Sequence, residues 1–323
     1  ARYEGMDTRV EECYSDCTIS IGDFVLMGGD LPAMMFLEGF LRLIHGVVSK
    51  EESVMQESFS GPFVDYPEYT DPVKWCGYEV PEIIRSGNHE KIRVWRRNEA
   101  IKKSIFQHFQ WVRTHIKNDI DIKEASEVIP PHYVVLMHSD VLLEGGRVGT
   151  SSVTSIDIHD IARSARTFGL KKFFIVTPLV DQQKIINKFL NFWINEKGIS
   201  YNLSRYEAIK NVVLKYSIDE VIEQIKNETG KFPLLIATTA RKEEGKTYIT
   251  YDEQEKVWSL QRPVIIVLGT ARGLAQTFFD KCDYILEPIS GFSFFNHLSV
   301  RSAAAIIFDR WLGINPTYLI KEE

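Results

Sequence analysis

The chain has 323 residues, about twice a typical domain, so two domains are the better expectation. Hydrophobic residues make up 44% and aromatics 12%, enough to build real cores and to exclude a disordered protein. Lysine and arginine number 38 against 44 acidic residues, a net charge of −6, which excludes a uniformly basic nucleic-acid binder but not a local basic patch.

No uncharged apolar run is long enough to span a bilayer. The best stretch, Leu31 to Val48, is broken by Glu38, Arg42 and His45, so no membrane partner is expected. Four cysteines, Cys13, Cys17, Cys76 and Cys282, are too few for a disulfide scaffold and suit a reduced, cytoplasmic protein. The chain opens on Ala1-Arg-Tyr-Glu-Gly-Met-Asp7, with neither a methionine nor a charged leader, which reads as the interior of a longer domain.

In chain order, Ile19 to Leu26 carries a short strand signal and Gly28-Gly29-Asp30 a turn. A helix follows with Asp30 as its expected N-cap and Pro32 near its first position. Met34, Leu37, Leu41 and Ile44 recur at helical spacing and are expected to face a core. Residues 53–75 are broken by Ser53, Ser58, Ser60, Gly61, Pro62, Pro67 and Pro72 and read as a connector. Val80 to Lys117 reads as helical. From Lys91 to Lys117, eight basic residues (Lys91, Arg93, Arg96, Arg97, Lys102, Lys103, Arg113 and Lys117) are opposed only by Glu99, which makes either a phosphate-binding patch or a solvated face. The polar stretch Asn118 to Glu127, before Pro130-Pro131, is the expected boundary.

Beyond it, strands and helices alternate. Buried strands are expected at Tyr133–Met137, Phe173–Val176, Leu234–Ala237, Val264–Leu268 and Tyr284–Leu286. Helices are expected near Asp157–Phe168, Gln182–Glu196, Ser217–Thr229 and Leu298–Trp311. That is an α/β domain with a mostly parallel sheet. There is no G-x-G-x-x-G after a strand, no P-loop, no G-x-S-x-G and no metal-spaced histidine pair.

The words Arg2-Tyr-Glu-Gly-Met-Asp7 and Ser20-Ile-Gly-Asp-Phe-Val-Leu-Met-Gly-Gly-Asp-Leu-Pro-Ala-Met34 carry a more specific message. So do Tyr66-Pro-Glu-Tyr-Thr-Asp-Pro72, Gly77-Tyr-Glu-Val-Pro81, Ser86-Gly-Asn-His89 and Ile92-Arg-Val-Trp-Arg96. Together they resemble the TrmD type of bacterial tRNA (guanine-N1)-methyltransferase over about residues 1–117. The resemblance implies a knotted SPOUT-type homodimer that uses S-adenosylmethionine, with Mg2+ as an accessory ion, to methylate N1 of the guanosine 3′ to the tRNA anticodon. It places Ala1, Tyr3, Glu4, Ile21, Gly22, Asp23, Phe24, Val25, Leu26, Gly28 and Gly29 around the cofactor. It makes Glu57 the acceptor of the guanine N1 proton and Arg42 the group that stabilises O6. A carboxylate is too weak a base for this proton unless charge on the oxygen is stabilised. Arg93, Arg96, Arg97 and Lys102, from the basic run, are the expected RNA contacts. Glu57 stands where the best-known members carry aspartate, Glu68 and Asp71 replace a usual histidine and arginine, and Ala1 replaces a usual glycine. Because the family's first strands are not among these residues, this segment alone is expected to be incomplete for guanine-N1 methylation.

A second pair of words, Val264-Ile-Ile-Val-Leu-Gly-Thr-Ala-Arg-Gly-Leu274 and the long Tyr284–Ser302 strand-loop-helix, resembles the two C-terminal motifs of SPOUT methyltransferases. Val153–Arg166 adds to that match. The fold it implies for the C-terminal domain is a trefoil-knotted SPOUT domain, preceded by a partial SPOUT segment and a small helical tRNA-binding domain. The divisions are 1–52, a connector 53–75, the basic helical domain 76–128 and the second SPOUT domain 129–323. Leu268, Gly269, Thr270, Gly273, Ile285, Pro288, Ile289, Asn296, Leu298 and Ser299 would line its cofactor pocket. Arg163, Arg166 and Arg301 are candidates to hold RNA phosphate or polarise a nucleophile, or else to cap a helix or pair with Asp160 or Asp157. The second domain is read as an RNA methyltransferase or, alternatively, as a non-catalytic cofactor-binding and dimerisation module that assists RNA binding.

Overall fold

The structure is a computed structural model that describes residues 5–48, 57–242, 247–293 and 295–315. It divides into two compact units, Ala1–Gly61 and Pro62–Glu323.

In the first unit the helix Thr8–Tyr14 is capped by Asp7, whose carboxylate accepts the Arg9 N–H (2.9 Å) and pairs with its guanidinium. A second helix, Asp30–Leu41, begins one residue earlier than expected. Gly29 is its N-cap, so Asp30 lies inside the first turn, where its charge still suits the helix dipole. The expected strand at Ile19–Leu26 does not form. The described residues of this unit contain no strand for it to pair with, and Ser20 Oγ engages Gly22 N–H and C=O locally instead. Nor do Met34, Leu37, Leu41 and Ile44 face a core; all four are exposed, Met34 at 65%. Leu31, Met35, Phe36 and Phe40 are exposed as well, so the helix is apolar on every side. The described unit offers neither a sheet nor a second long helix to cover it.

The second unit opens with Phe63 and Val64 buried and an antiparallel hairpin, β1 (Lys74–Trp75) and β2 (Tyr78–Glu79). Helices follow at Glu82–Arg85, His89–Gln107, Phe109–His115 and Asp119–Val128. The long one starts at Asn88, whose side chain accepts the Lys91 N–H, and is interrupted at His108. Ala100, Ile101, Ser104 and Ile105 form its buried stripe. The polar stretch read as a boundary is helical from Asp119, because Asn118 caps it and Asp121 and Glu124 pair with Arg97.

Then come β3 (His132–Met137), β4 (Val141–Leu142), β5 (Val148–Gly149), β6 (Lys172–Val176), β7 (Val212–Lys215), β8 (Leu234–Thr238), β9 (Tyr248–Ile249), β10 (Val264–Gly269) and β11 (Tyr284–Leu286). Seven of these form a wholly parallel sheet in the order β7-β6-β3-β10-β8-β11-β9, and β4–β5 is a separate hairpin. Both faces are buried, which explains the unbroken apolar runs of β3 and β10. Val134, Leu136, Ile266 and Leu268 face a core shared with the helices Ser155–Thr167, Val180–Ile194 and Val300–Leu312 and with Ile101, Ile105, Phe109 and Val112 of the basic helical region. Tyr133, Val135, Ile265 and Val267 face the helices Ile218–Thr229 and Gln276–Phe279.

The helical region is thus part of the same core as the sheet. Arg113, nearly buried, donates to the carbonyls of Asp309 (3.0 Å) and Arg310 (3.2 Å), and desolvation lowers its pKa.

Candidate functional site

Parallel sheets place ligands at the carboxyl ends of their strands, where loops diverge and backbone groups are free. Here those ends open on a cleft of about 1170 Å³. After β10 the chain turns through Thr270–Gly273, with Ala271 at φ +54° and Gly273 at φ +102°. Gly269 approaches this loop so closely that a Cβ would lie 2.6 Å from Leu274 N and 2.9 Å from Gly273 C. No other residue fits there without moving backbone. The β4–β5 hairpin locks the loop through main-chain bonds, Arg272 N–H to Leu142 O (3.0 Å) and Leu142 N–H to Gly273 O (2.9 Å).

Of the residues expected in this pocket, Leu268, Gly269, Thr270, Gly273, Ile289, Asn296, Leu298 and Ser299 line the cleft. Ile285 and Pro288 do not line it. Ile285 packs into the second core and Pro288 is buried. Asn296 donates to Ala240 O (2.8 Å), tying the long loop to the end of β8, and Ser299 is spent as the N-cap of the last helix. Ser151, Asp157, Thr238, Arg241 and Tyr251 also line the cleft and were missed by sequence reasoning. They come from three separate segments, and only Asp157 lay in a word singled out beforehand.

The cleft fits an adenosyl group. Leu268, Ile289 and Leu298 give it an apolar wall, and Gly269 admits close main-chain approach. Arg301 reaches Asp157 (3.4 Å) and Asp160 (3.5 Å), so its pairing is with carboxylates, while Arg166 lies 3.8 Å from Glu207.

In the first unit Arg42 and Glu57, fifteen positions apart, form a direct ion pair, both half-exposed. Ile21, Gly22, Asp23, Phe24, Val25, Leu26, Gly28 and Gly29 form an open loop, with Val25 97% exposed. Ala1, Tyr3 and Glu4 lie outside the described residues. In the basic region Arg93 pairs with Glu90 (2.9 Å), Arg97 with Asp121 and Glu124, and Lys102 with Glu99 (2.8 Å). The Arg96 guanidinium lies over the Tyr66 ring at 4.4 Å. Among the described residues no group of three or more His, Cys, Asp or Glu could hold a metal ion, and no helix is long and apolar enough to cross a membrane.

Two family descriptions match the chain: tRNA (Guanine-1)-methyltransferase TrmD over residues 1–113, and SAM-dependent RNA methyltransferase over residues 131–313. A tRNA (guanine-N(1)-)-methyltransferase of Oleidesulfovibrio alaskensis is 39% identical over 317 residues, covering 97% of this chain and 74% of the relative. Its counterpart in Nitratidesulfovibrio vulgaris is 38% identical over 322 residues, with the same coverage. An uncharacterized protein of Aquifex aeolicus is 39% identical over 183 residues, 57% of this chain and 89% of its own. Fold, cleft and relatives together define an S-adenosylmethionine-dependent RNA methyltransferase. More narrowly, the chain belongs to the tRNA (guanine-N1)-methyltransferase family and carries a second RNA methyltransferase domain at its C-terminal end.

Proposed function

We propose that the chain works on tRNA in the cytoplasm as a homodimer with two unlike modules. The TrmD-like module contributes Arg42 and Glu57 to guanine-N1 methylation next to the anticodon, and the C-terminal module is a knotted SPOUT domain with its own cofactor cleft. Bound S-adenosylmethionine supplies an electrophilic methyl group to each site. In the first module the loop at Ile21–Gly29, with Ala1, Tyr3 and Glu4, holds the adenosyl group. A guanine entering between Arg42 and Glu57 exchanges their mutual ion pair for two new contacts. Its N1 proton goes to the Glu57 carboxylate, and charge gathering on O6 is met by the Arg42 guanidinium.

The observation that carries this reading is the Arg42–Glu57 ion pair, which joins the two side chains the chemistry needs. The test is transfer of labelled methyl from the cofactor to unmodified tRNA, scored as N1-methylguanosine, with the chain joined to the family's first strands. Glu57→Gln is expected to lower it at least a hundredfold while S-adenosylhomocysteine affinity stays within twofold. Full activity of Glu57→Gln would assign the base elsewhere.

In the second module Leu268, Gly269, Thr270 and Gly273 form one side of the adenosyl site, with Ile289, Asn296, Leu298 and Ser299 opposite. Arg93, Arg96, Arg97 and Lys102 contribute to RNA affinity from the helical region. Light scattering at micromolar concentration tests the dimer, and a monomer mass would remove it from the proposal.

A further inference from the structure

A line of three polar side chains crosses the base of the C-terminal cleft. His138, fully buried just beyond β3, lies with Nδ1 3.0 Å from Ser151 Oγ. Ser151 Oγ lies 2.6 Å from Thr270 Oγ1, and Thr270 Oγ1 donates to Met137 O at 2.8 Å. The backbone fixes the same geometry, because Ser151 N–H donates to His138 O at 2.7 Å.

The protons in this line have one arrangement. A carbonyl only accepts, so the single Thr270 hydroxyl proton points to Met137. Thr270 must then accept from Ser151, and with its own proton committed Ser151 must accept from His138. His138 is therefore the Nδ1–H tautomer. Among the described residues its Nε2 is buried without a partner, as suits a neutral ring, and burial holds its pKa down at about 4. Two hydroxyls on the cleft wall are left with lone pairs and no proton to offer. Such a surface accepts O–H or N–H groups and repels acceptors.

Resting on the reading of this domain as an S-adenosylmethionine-dependent RNA methyltransferase, we propose that Ser151 receives the methyl-accepting nucleotide by taking a hydrogen bond from its O–H or N–H, and that His138 is the positioning residue that commits Ser151 to that role. Thr270 belongs to the glycine loop proposed for the cofactor. Ser151 belongs to neither cofactor loop. It enters the cleft from a third segment, on the side that also carries Asp157, and its lone pair remains for a second ligand. A hydroxyl oxygen, an exocyclic amine or an amide-type ring nitrogen that accepts a methyl group brings a hydrogen with it, so an acceptor beside the cofactor loop selects and aligns such a group before transfer.

The test uses the full chain, total tRNA, labelled S-adenosylmethionine and calorimetry with S-adenosylhomocysteine. The transfer scored is the part abolished by Gly269→Val. Ser151→Ala is expected to lower this transfer roughly tenfold, the scale of one aligned hydrogen bond, with S-adenosylhomocysteine affinity within twofold of wild type. Ser151→Thr, which keeps the hydroxyl, should recover most of it. His138→Leu should match Ser151→Ala, whereas His138→Asn, which keeps an N–H donor, should be milder. Nitrogen-15 spectra of the histidines should show His138 neutral with the proton on Nδ1 at pH 7. A proton on Nε2, or transfer unchanged in Ser151→Ala, overturns the assignment. Equal losses of transfer and S-adenosylhomocysteine affinity would place Ser151 in the cofactor wall and overturn it too. A wild-type chain with no Gly269-dependent transfer would instead defeat the reading of the domain as an enzyme, and the proposal with it.

Discussion

Trp311, on the last helix, donates its indole N–H to Nε2 of His132, the first residue of β3, at 3.1 Å across 179 positions of sequence. Trp258 donates to the same atom, also at 3.1 Å, and His132 Nδ1 lies 2.6 Å from Pro130 O. With Nε2 accepting two indoles, the proton must sit on Nδ1 and point to that carbonyl. The ring is neutral and wholly buried, and desolvation pushes its pKa down to about 4.

A pH dependence of stability follows. Both His132 and His138 have folded pKa values near 4, against about 6.5 when unfolded. Between those limits the unfolded chain binds more protons, so stability is fully present above about pH 6.5 and falls as pH drops toward 4. The slope is about 1.4 kcal/mol per pH unit for each histidine. Urea unfolding monitored by tryptophan fluorescence should show a clearly lower midpoint at pH 5 than at pH 7.5. Equal midpoints would mean that neither ring is held neutral.

His132→Leu should destabilise the second unit by roughly 2–5 kcal/mol, because two buried indole N–H groups lose their acceptor together. Thermal unfolding measures this. A loss below about 1 kcal/mol would show that the indoles find other acceptors.

The parallel sheet was legible because strands buried on both faces are written as continuous apolar runs, and all five expected strands formed within a residue or so. β7 and β9 were not legible. β7 is an edge strand whose Val213-Leu214-Lys215 is only half-buried, and β9 has two residues, too short for any period. Apolar spacing at Met34, Leu37 and Leu41 announced a helix correctly, though it ends before Ile44, but not what covers it, since periodicity reports a face and not its partner. The same limit applies to the cleft. Both glycine-bearing loops could be read as words, but Ser151, Thr238 and Tyr251 reach it from segments with no motif of their own.

The basic helix is more strongly paired than its sequence suggests, because acids from outside the run 91–117 fold against it. Asp121, itself buried, is held by Arg97. Arg97→Ala should therefore cost about 1–3 kcal/mol of stability in addition to any effect on RNA. Replacing Arg93, Arg96, Arg97 and Lys102 by glutamine together should flatten the dependence of log affinity for tRNA on log salt by roughly one to three units. Each phosphate contact contributes somewhat under one unit. An unchanged slope would make the patch a set of internal ion pairs only.

The most direct measurement is a calorimetric titration of the chain with S-adenosylhomocysteine, comparing wild type, Gly269→Ala and Gly269→Val, each first shown to be folded by circular dichroism. A Cβ at Gly269 meets backbone at 2.6 Å, so even alanine should weaken binding at the C-terminal cleft, and valine should abolish it there. Affinity and stoichiometry in Gly269→Val identical to wild type would contradict the assignment of this cleft as a cofactor site.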